Sequence, residues 1–405
     1  MPLISEHNQE YCRHNGEPHL GHINLDGAWD SDRPISLANR PKPMKQILSA
    51  VFAFTIFFAI HASAPGQTAE NLDLRARMIS QAQKENMVVV IGSQTLRLDR
   101  NLKGFKKRYP FITIKGIEAS TTKSIDRVVA ESQSGNVTVD AVHVSEEGAG
   151  FLANHGILTK NEFPHLKDFY PNTQPKSGFY VIVFLTPRIQ AIYNTTLIRP
   201  ADVPKNWDQL VDKKFTGQVL IANNIEDVPL RLAWLWRKDS ELDWNRAFDY
   251  FRKVTALKPL LAMSFTDAAQ RMAAGEGMLN LFPALGTTTA LYLKGAPVRA
   301  LAFPKYFHNY RAWMILKAAR HPASAWLLID YMTSPEGQFE YTDVFSSQIL
   351  LNKTAKPGKL SEAASNLGVR LEDIDVVSPD QAANIFTEAN AKKTEEFFFK
   401  ALGIK

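Results

Sequence analysis

Three short polar segments carry the residues best placed to do chemistry: Gly92-Ser93-Gln94-Thr95, Ser120-Thr121-Thr122-Lys123-Ser124 and Ser145-Glu146-Glu147-Gly148. Each follows an apolar run and opens an amphipathic one. Hydroxyls beside the unpaired N–H groups of a helix start form a natural anion cradle. Capping alone would account for any one hydroxyl, with Thr122 or Ser124 suited to cap the middle helix. Three such segments at one sheet edge argue for a ligand. Further along, Asn223-Asn224 follows another apolar run, Phe282 offers a flat apolar wall, and Arg311 or Lys305 offers a counter-charge. Phosphate, phosphonate and carboxylate groups suit such a lining.

The elements that must position these residues follow a repeated grammar. Met87–Ile91 is a continuous β-branched run, as expected of a strand buried on both faces. It leads through Ser93 and Gln94 to an amphipathic helix over Leu98–Tyr109. Phe111–Ile117 and Val137–Val144 read as the next strands, each followed by a polar loop and a helix. Strand, polar loop and helix in alternation predict an α/β lobe with a mostly parallel sheet and helices on both faces. Its ligand edge is the carboxyl edge. Around Tyr180–Tyr193 two strands, broken at Thr186-Pro187, read as a crossing into a second lobe. That lobe has strands over Gln218–Ala222 and Met278–Phe282, and Tyr306–Tyr310 reads as the return crossing. Ser378-Pro379-Asp380-Gln381 has the pattern of a capping box.

The 405 residues suffice for two cored domains, and 45% hydrophobic with 22% charged content is that of a globular protein. The net charge of +6 is spread out, with no basic block to serve as a nucleic-acid arm. Ile47–Ile60, with Lys42 and Lys45 before it and Ala62-Ser63-Ala64 after it, has the build of a secretory signal peptide. It is too short to span a bilayer. Cleavage after Ala64 would remove Cys12, so the exported chain would carry no disulfide. Residues 1–43 read as an extension or an over-long start, and their histidines lack the paired spacing of a zinc site. No nucleophile elbow, zinc-protease helix, P-loop or dinucleotide fingerprint is present. An enzyme is not expected, and no cofactor or metal is assigned.

One stretch carries a specific resemblance. Tyr193-Asn194-Thr195 is followed by Pro204-Lys205-Asn206-Trp207 with Leu210, then by Lys214-Phe215-Thr216-Gly217 before a strand. Later come Ala273-Ala274-Gly275-Glu276, Lys294-Gly295-Ala296-Pro297 and Ser334-Pro335-Glu336-Gly337. In this order the motifs resemble the bacterial extracellular solute-binding proteins of ABC importers, in the group described as ferric-iron, polyamine, thiamine or phosphonate binders. The resemblance implies two lobes joined by two hinge crossings, as in periplasmic binding proteins. Lobe 1 would comprise residues 70–185 with 312–355, and lobe 2 residues 186–311 with 356–405, the tail strapping lobe 2. It implies a monomer in the periplasm that takes a small solute into an interlobe cleft and delivers it to an inner-membrane permease, and the lining of hydroxyls and helix starts makes an anion the expected cargo. Ferric iron, an iron chelate or a polyamine is the alternative cargo; an enzyme or sensor on the same fold is a further one. The site would draw Ser93, Gln94, Thr121, Thr122 and Ser145 from lobe 1, and Asn223, Asn224, Phe282 and Arg311 from lobe 2. Relatives that hold ferric ion place neighbouring tyrosines where this chain has Leu281-Phe282-Pro283, so bare ferric ion has no phenolate there.

Overall fold

In the first of two sheets, six strands stand in the order β11-β4-β10-β3-β1-β2. They are β1 (Met87–Gly92), β2 (Thr113–Glu118), β3 (Ala141–Ser145), β4 (Val181–Arg188), β10 (Phe307–Ile315) and β11 (Ile349–Leu350). The second sheet has the order β7-β6-β8-β5-β9, from β5 (Ala191–Asn194), β6 (Val219–Ala222), β7 (Leu260–Ala262), β8 (Leu279–Leu281) and β9 (Val298–Leu301). This computed structural model describes residues 69–303, 305–345, 349–375 and 377–403, and Ser63–Lys405 form one unit. The leader, the extension before it and Cys12 lie outside the described residues.

Both sheets are mixed. β1 pairs in parallel with β2 and β3, but β10 and β4 run antiparallel within the first sheet. In the second sheet β6 is parallel to β7 and β8, while β5 is antiparallel to β8 and β9. β10 in the first sheet and β5 in the second run against both of their neighbours, and each is the strand by which the chain enters from the other sheet, arriving at the opposite end.

Helices cover both faces of each sheet. Val88 and Val90 of β1 are buried under the helices Ala69–Glu85 and Pro322–Thr333, while Ile91 packs on the other face with Val128 and Leu152. Burial on both faces explains the unbroken β-branched run. Thr186-Pro187 does not break β4, contrary to the expectation from proline. Thr186, Pro187 and Arg188 stay in register with Asn309, His308 and Phe307 of β10, and among the described residues β11 pairs with Phe184 and Leu185. The helix expected over Leu98–Tyr109 is interrupted at Leu102 (ψ 69°) into Leu98–Asn101 and Lys103–Arg108.

Two short segments connect the sheets. Ile189-Gln190 links β4 to β5, and residues 302–306 link β9 to β10. The return therefore ends before Phe307, and β10 belongs to the first sheet along its whole length. The chain beyond residue 356 touches both halves. Tyr306 N–H donates to Asp373 O (3.1 Å), and Asp375 N–H donates to Tyr306 O (2.9 Å). The helix Pro379–Ile385 carries the Ser378–Gln381 capping box and adds Ala382 and Ile385 to the core around Val142 and Leu152. The helix Glu388–Leu402 adds Phe398 to the core of the second sheet.

Candidate functional site

At the carboxyl ends of β1 and β2 lies an open cavity of about 530 Å³ lined by Ser93, Glu118, Ala119, Ser120, Thr121, Lys123 and Arg311. β1 must end where it does. Gly92 has φ +147°, and a Cβ there would stand 2.1 Å from His143 O. Only glycine lets β1 pass β3 this closely while turning the chain outward to Ser93. Gln94 is left-handed (φ 65°), and its N–H donates to Glu118 Oε1 at 2.5 Å.

Ser120, rather than Thr122 or Ser124, caps the helix Thr121–Ser134, its Oγ accepting Lys123 N–H at 3.3 Å. Ser124 turns inward and donates to Ser120 O (2.8 Å). Thr121 Oγ1 accepts Ser145 N–H at 3.2 Å, which ties two of the polar loops together. Its hydroxyl proton makes no hydrogen bond among the described residues and can donate to a ligand. Ser145 thus stands behind Thr121, at the start of the helix Glu146–Asn154. Thr122 is exposed outside the cavity lining.

Arg311 comes from β10, directly opposite Ser145 of β3. It belongs to the first sheet and not to the second lobe, where the sequence reading placed it. Next to it sits a buried chain of polar rings. Trp313 Nε1–H donates to the Tyr341 hydroxyl (2.7 Å), which lies 3.4 Å from His143 Nε2, and His143 Nδ1 is 3.0 Å from Ser93 O. A neutral His143 that donates from Nδ1 and accepts at Nε2 fits these partners. Burial, helped by the positive charge of Arg311, pushes its pKa down to about 3 against the pull of the Ser93 carbonyl. His143 also stacks on Trp313, with ring centroids 4.6 Å apart. The backbone of Ser93 is therefore held from beneath by a ring that does not charge at neutral pH.

The second sheet presents a different surface. Asn223 and Asn224 are exposed at the carboxyl end of β6, where Asn223 N–H donates to Ala262 O (2.9 Å), outside the cavity above. Phe282 is 1% exposed and packs in the core of that sheet, so it is no cleft wall. Its backbone is left-handed (φ 54°), and its N–H donates to Gln190 O (2.9 Å). Beside it lies a charge cluster that residue spacing did not reveal. Asp227 accepts from Arg231 Nε at 2.6 Å and lies 3.9 Å from Arg188, while Arg231 Nη1 donates to His308 O at 2.7 Å. Burial opposes ionisation of Asp227, but Arg231 and Arg188 outweigh it and hold its pKa below the usual carboxylate value. Ser120 and Lys123 lie in the second polar segment but were not singled out as site residues, and Glu118 was missed altogether. The one signal for Glu118 was its place two residues before the polar loop, at the end of an alternating strand.

Among the described residues no group of three or more metal-ligating side chains occurs, and no helix is long and apolar enough to cross a membrane. The two-sheet fold and its edge cavity define the class. The bacterial extracellular solute-binding protein family model matches residues 102–367, and the chain belongs to that family. No curated protein sequence matches it. Among solved structures it is similar to iron-bound HitA from Pseudomonas aeruginosa, with 16% identity and a TM-score of 0.62 over 78% of this chain and 99% of that one. It is similar to the periplasmic binding protein AfuA from Actinobacillus pleuropneumoniae with fructose-6-phosphate bound, at 20% identity and a TM-score of 0.61 over 79% and 99%. A third is the Trichodesmium protein IdiA (FutA) in complex with iron and citrate, at 15% identity and a TM-score of 0.61 over 79% and 100%.

Proposed function

We propose that this protein is the periplasmic receptor of an ABC importer, exported by its leader, and that it captures a small anionic solute for an inner-membrane permease. One observation carries the reading of the ligand: Ser93 just after β1, Thr121 at the start of the helix after β2, and Arg311 from within β10 line one cavity of about 530 Å³. Hydroxyl donors at the start of the helix Thr121–Ser134 and a guanidinium suit an anion through hydrogen bonds and charge together. That AfuA was solved with a sugar phosphate is consistent with such a cargo on this fold.

The two-sheet layout supports capture by closure. A ligand shifts the equilibrium toward a closed form only if both lobes contact it. Asn223 and Asn224, exposed at the carboxyl end of β6, are the second-lobe groups we assign to that contact. Gln94 and Ser145 act through the loop backbone that they shape.

A thermal-shift screen of anions, polyamines and metal chelates tests the reading, because a ligand that binds only the native state raises its melting temperature. We expect phosphate monoesters to raise it and spermidine to leave it unchanged. Thr121→Ala should weaken binding of the hit by about 1.5–3 kcal/mol, the worth of one hydrogen bond to a charged group. Thr122→Ala should have no effect. Equal affinity in wild type and Thr121→Ala would move the site away from this edge.

A further inference from the structure

We propose that the solute is a zwitterion, an anionic group joined to an ammonium by a short organic bridge, and that Glu118 selects for the ammonium. The inference rests on the anion reading above and narrows it. Along the edge of the first sheet the strands follow the order β10-β3-β1-β2. Arg311 stands on β10 opposite Ser145 of β3, and Glu118 stands on β2 opposite Gly92 of β1. Their backbones are thus three strand spacings apart, about 14 Å, yet both side chains line one cavity. Ser93 and Thr121 lie between them. Charge therefore runs from positive to negative across the cavity wall, with Lys123 on the first turn of the helix Thr121–Ser134 as the third charged group.

A solute carrying only negative charge would find Glu118 repulsive. On lobe closure it would also strip water from a carboxylate while offering it no partner, which is unfavourable. Among the described residues Glu118 accepts only the Gln94 N–H and forms no ion pair, even though Lys123 and Arg311 share its cavity. Holding the Gln94 N–H requires one oxygen acceptor and no charge, and a glutamine would supply it. The remaining charge and oxygen face an open cavity, where an ammonium would pair with them.

The test compares two probes that differ only in the amine, O-phosphoethanolamine and ethyl phosphate, by calorimetry on the wild-type chain and on Glu118→Gln. The proposal expects wild type to favour O-phosphoethanolamine by tenfold or more. In Glu118→Gln the preference should shrink to twofold or less while affinity for ethyl phosphate is unchanged or improved. An unchanged melting temperature of the empty variant would confirm that Gln94 is still held. Equal affinity of wild type for the two probes would overturn the zwitterion and leave the anion reading standing. Binding of neither probe would overturn both. A preference that survives in Glu118→Gln would overturn the role of Glu118.

Discussion

The Gln190 side-chain amide clasps the backbone of Phe303, accepting its N–H at Oε1 (2.9 Å) and donating from Nε2 to its carbonyl (3.0 Å). These two residues belong to the two segments that join the sheets, so one buried side chain bolts the crossings to each other. The Gln190 carbonyl also accepts Phe282 N–H, which holds that residue in its left-handed conformation. Replacing Gln190 by Leu would leave a backbone donor and acceptor without their partner, at a cost of about 1–3 kcal/mol. We expect the melting temperature to fall by about 2–4 °C. Calorimetry checks this, and an unchanged transition would mean that the crossings do not depend on the clasp.

Gly92→Ala should be far more damaging. The added Cβ would overlap His143 O at a backbone angle that alanine rarely adopts. Loss of more than about 3 kcal/mol is expected, since neither strand can retreat without breaking the ladder. Urea unfolding of the variant against wild type measures it.

Acid should weaken the fold through two buried imidazoles. Burial first, then the charge of Arg311 for His143 and of Arg231 for His308, pushes both pKa values down to about 3. Folded histidines that stay neutral while unfolded ones protonate make the unfolded state the better proton acceptor. Stability is therefore present above the ordinary histidine pKa of about 6.5 and is lost as pH falls from there towards about 3. Each contributes a slope of up to about 1.4 kcal/mol per pH unit. His308→Gln should flatten the melting-temperature profile between pH 6.5 and 4, and a profile as steep as that of wild type would contradict the assignment.

Arg75 Nε and Nη2 donate to the two Asp330 oxygens at 2.8 and 3.1 Å, pinning the first helix to Pro322–Thr333. Asp330 is 2% exposed. Arg75→Ala strands that carboxylate and should destabilise by about 3–5 kcal/mol, whereas Arg75→Met with Asp330→Leu should recover most of the loss. A chemical-denaturation cycle over the single and double variants decides between the two.

Ferric citrate should give no visible phenolate-to-iron band. The strand end after Gly277 carries Phe282, which is buried and has no phenol. Absorbance between 400 and 550 nm during a titration (~1 equivalent steps) is the measurement; a red complex would place tyrosines from elsewhere on the metal.

The residue order alone determined the parts whose information is local. A β-branched run buried on both faces, a polar loop and a helix start are each written within about ten residues, because strand period, helix period and capping are short-range effects. Thus Met87–Ile91, the Thr121–Ser134 helix and the Ser378–Gln381 box were legible, and so was the two-lobed α/β class. Only tertiary structure decided the rest. Arg311 lies on the first sheet because β10 pairs with β3 and β4, segments more than a hundred residues earlier in the chain. Phe282 is buried because its ring joins the core of the second sheet, which Val228 and Phe307 reach from distant parts of the chain. Glu118 enters the cavity because β2 is parallel to β1 in a register that sets it opposite Gly92. Pairing partners and register are chosen by the summed burial of whole sheets, and no window of neighbouring residues encodes that sum.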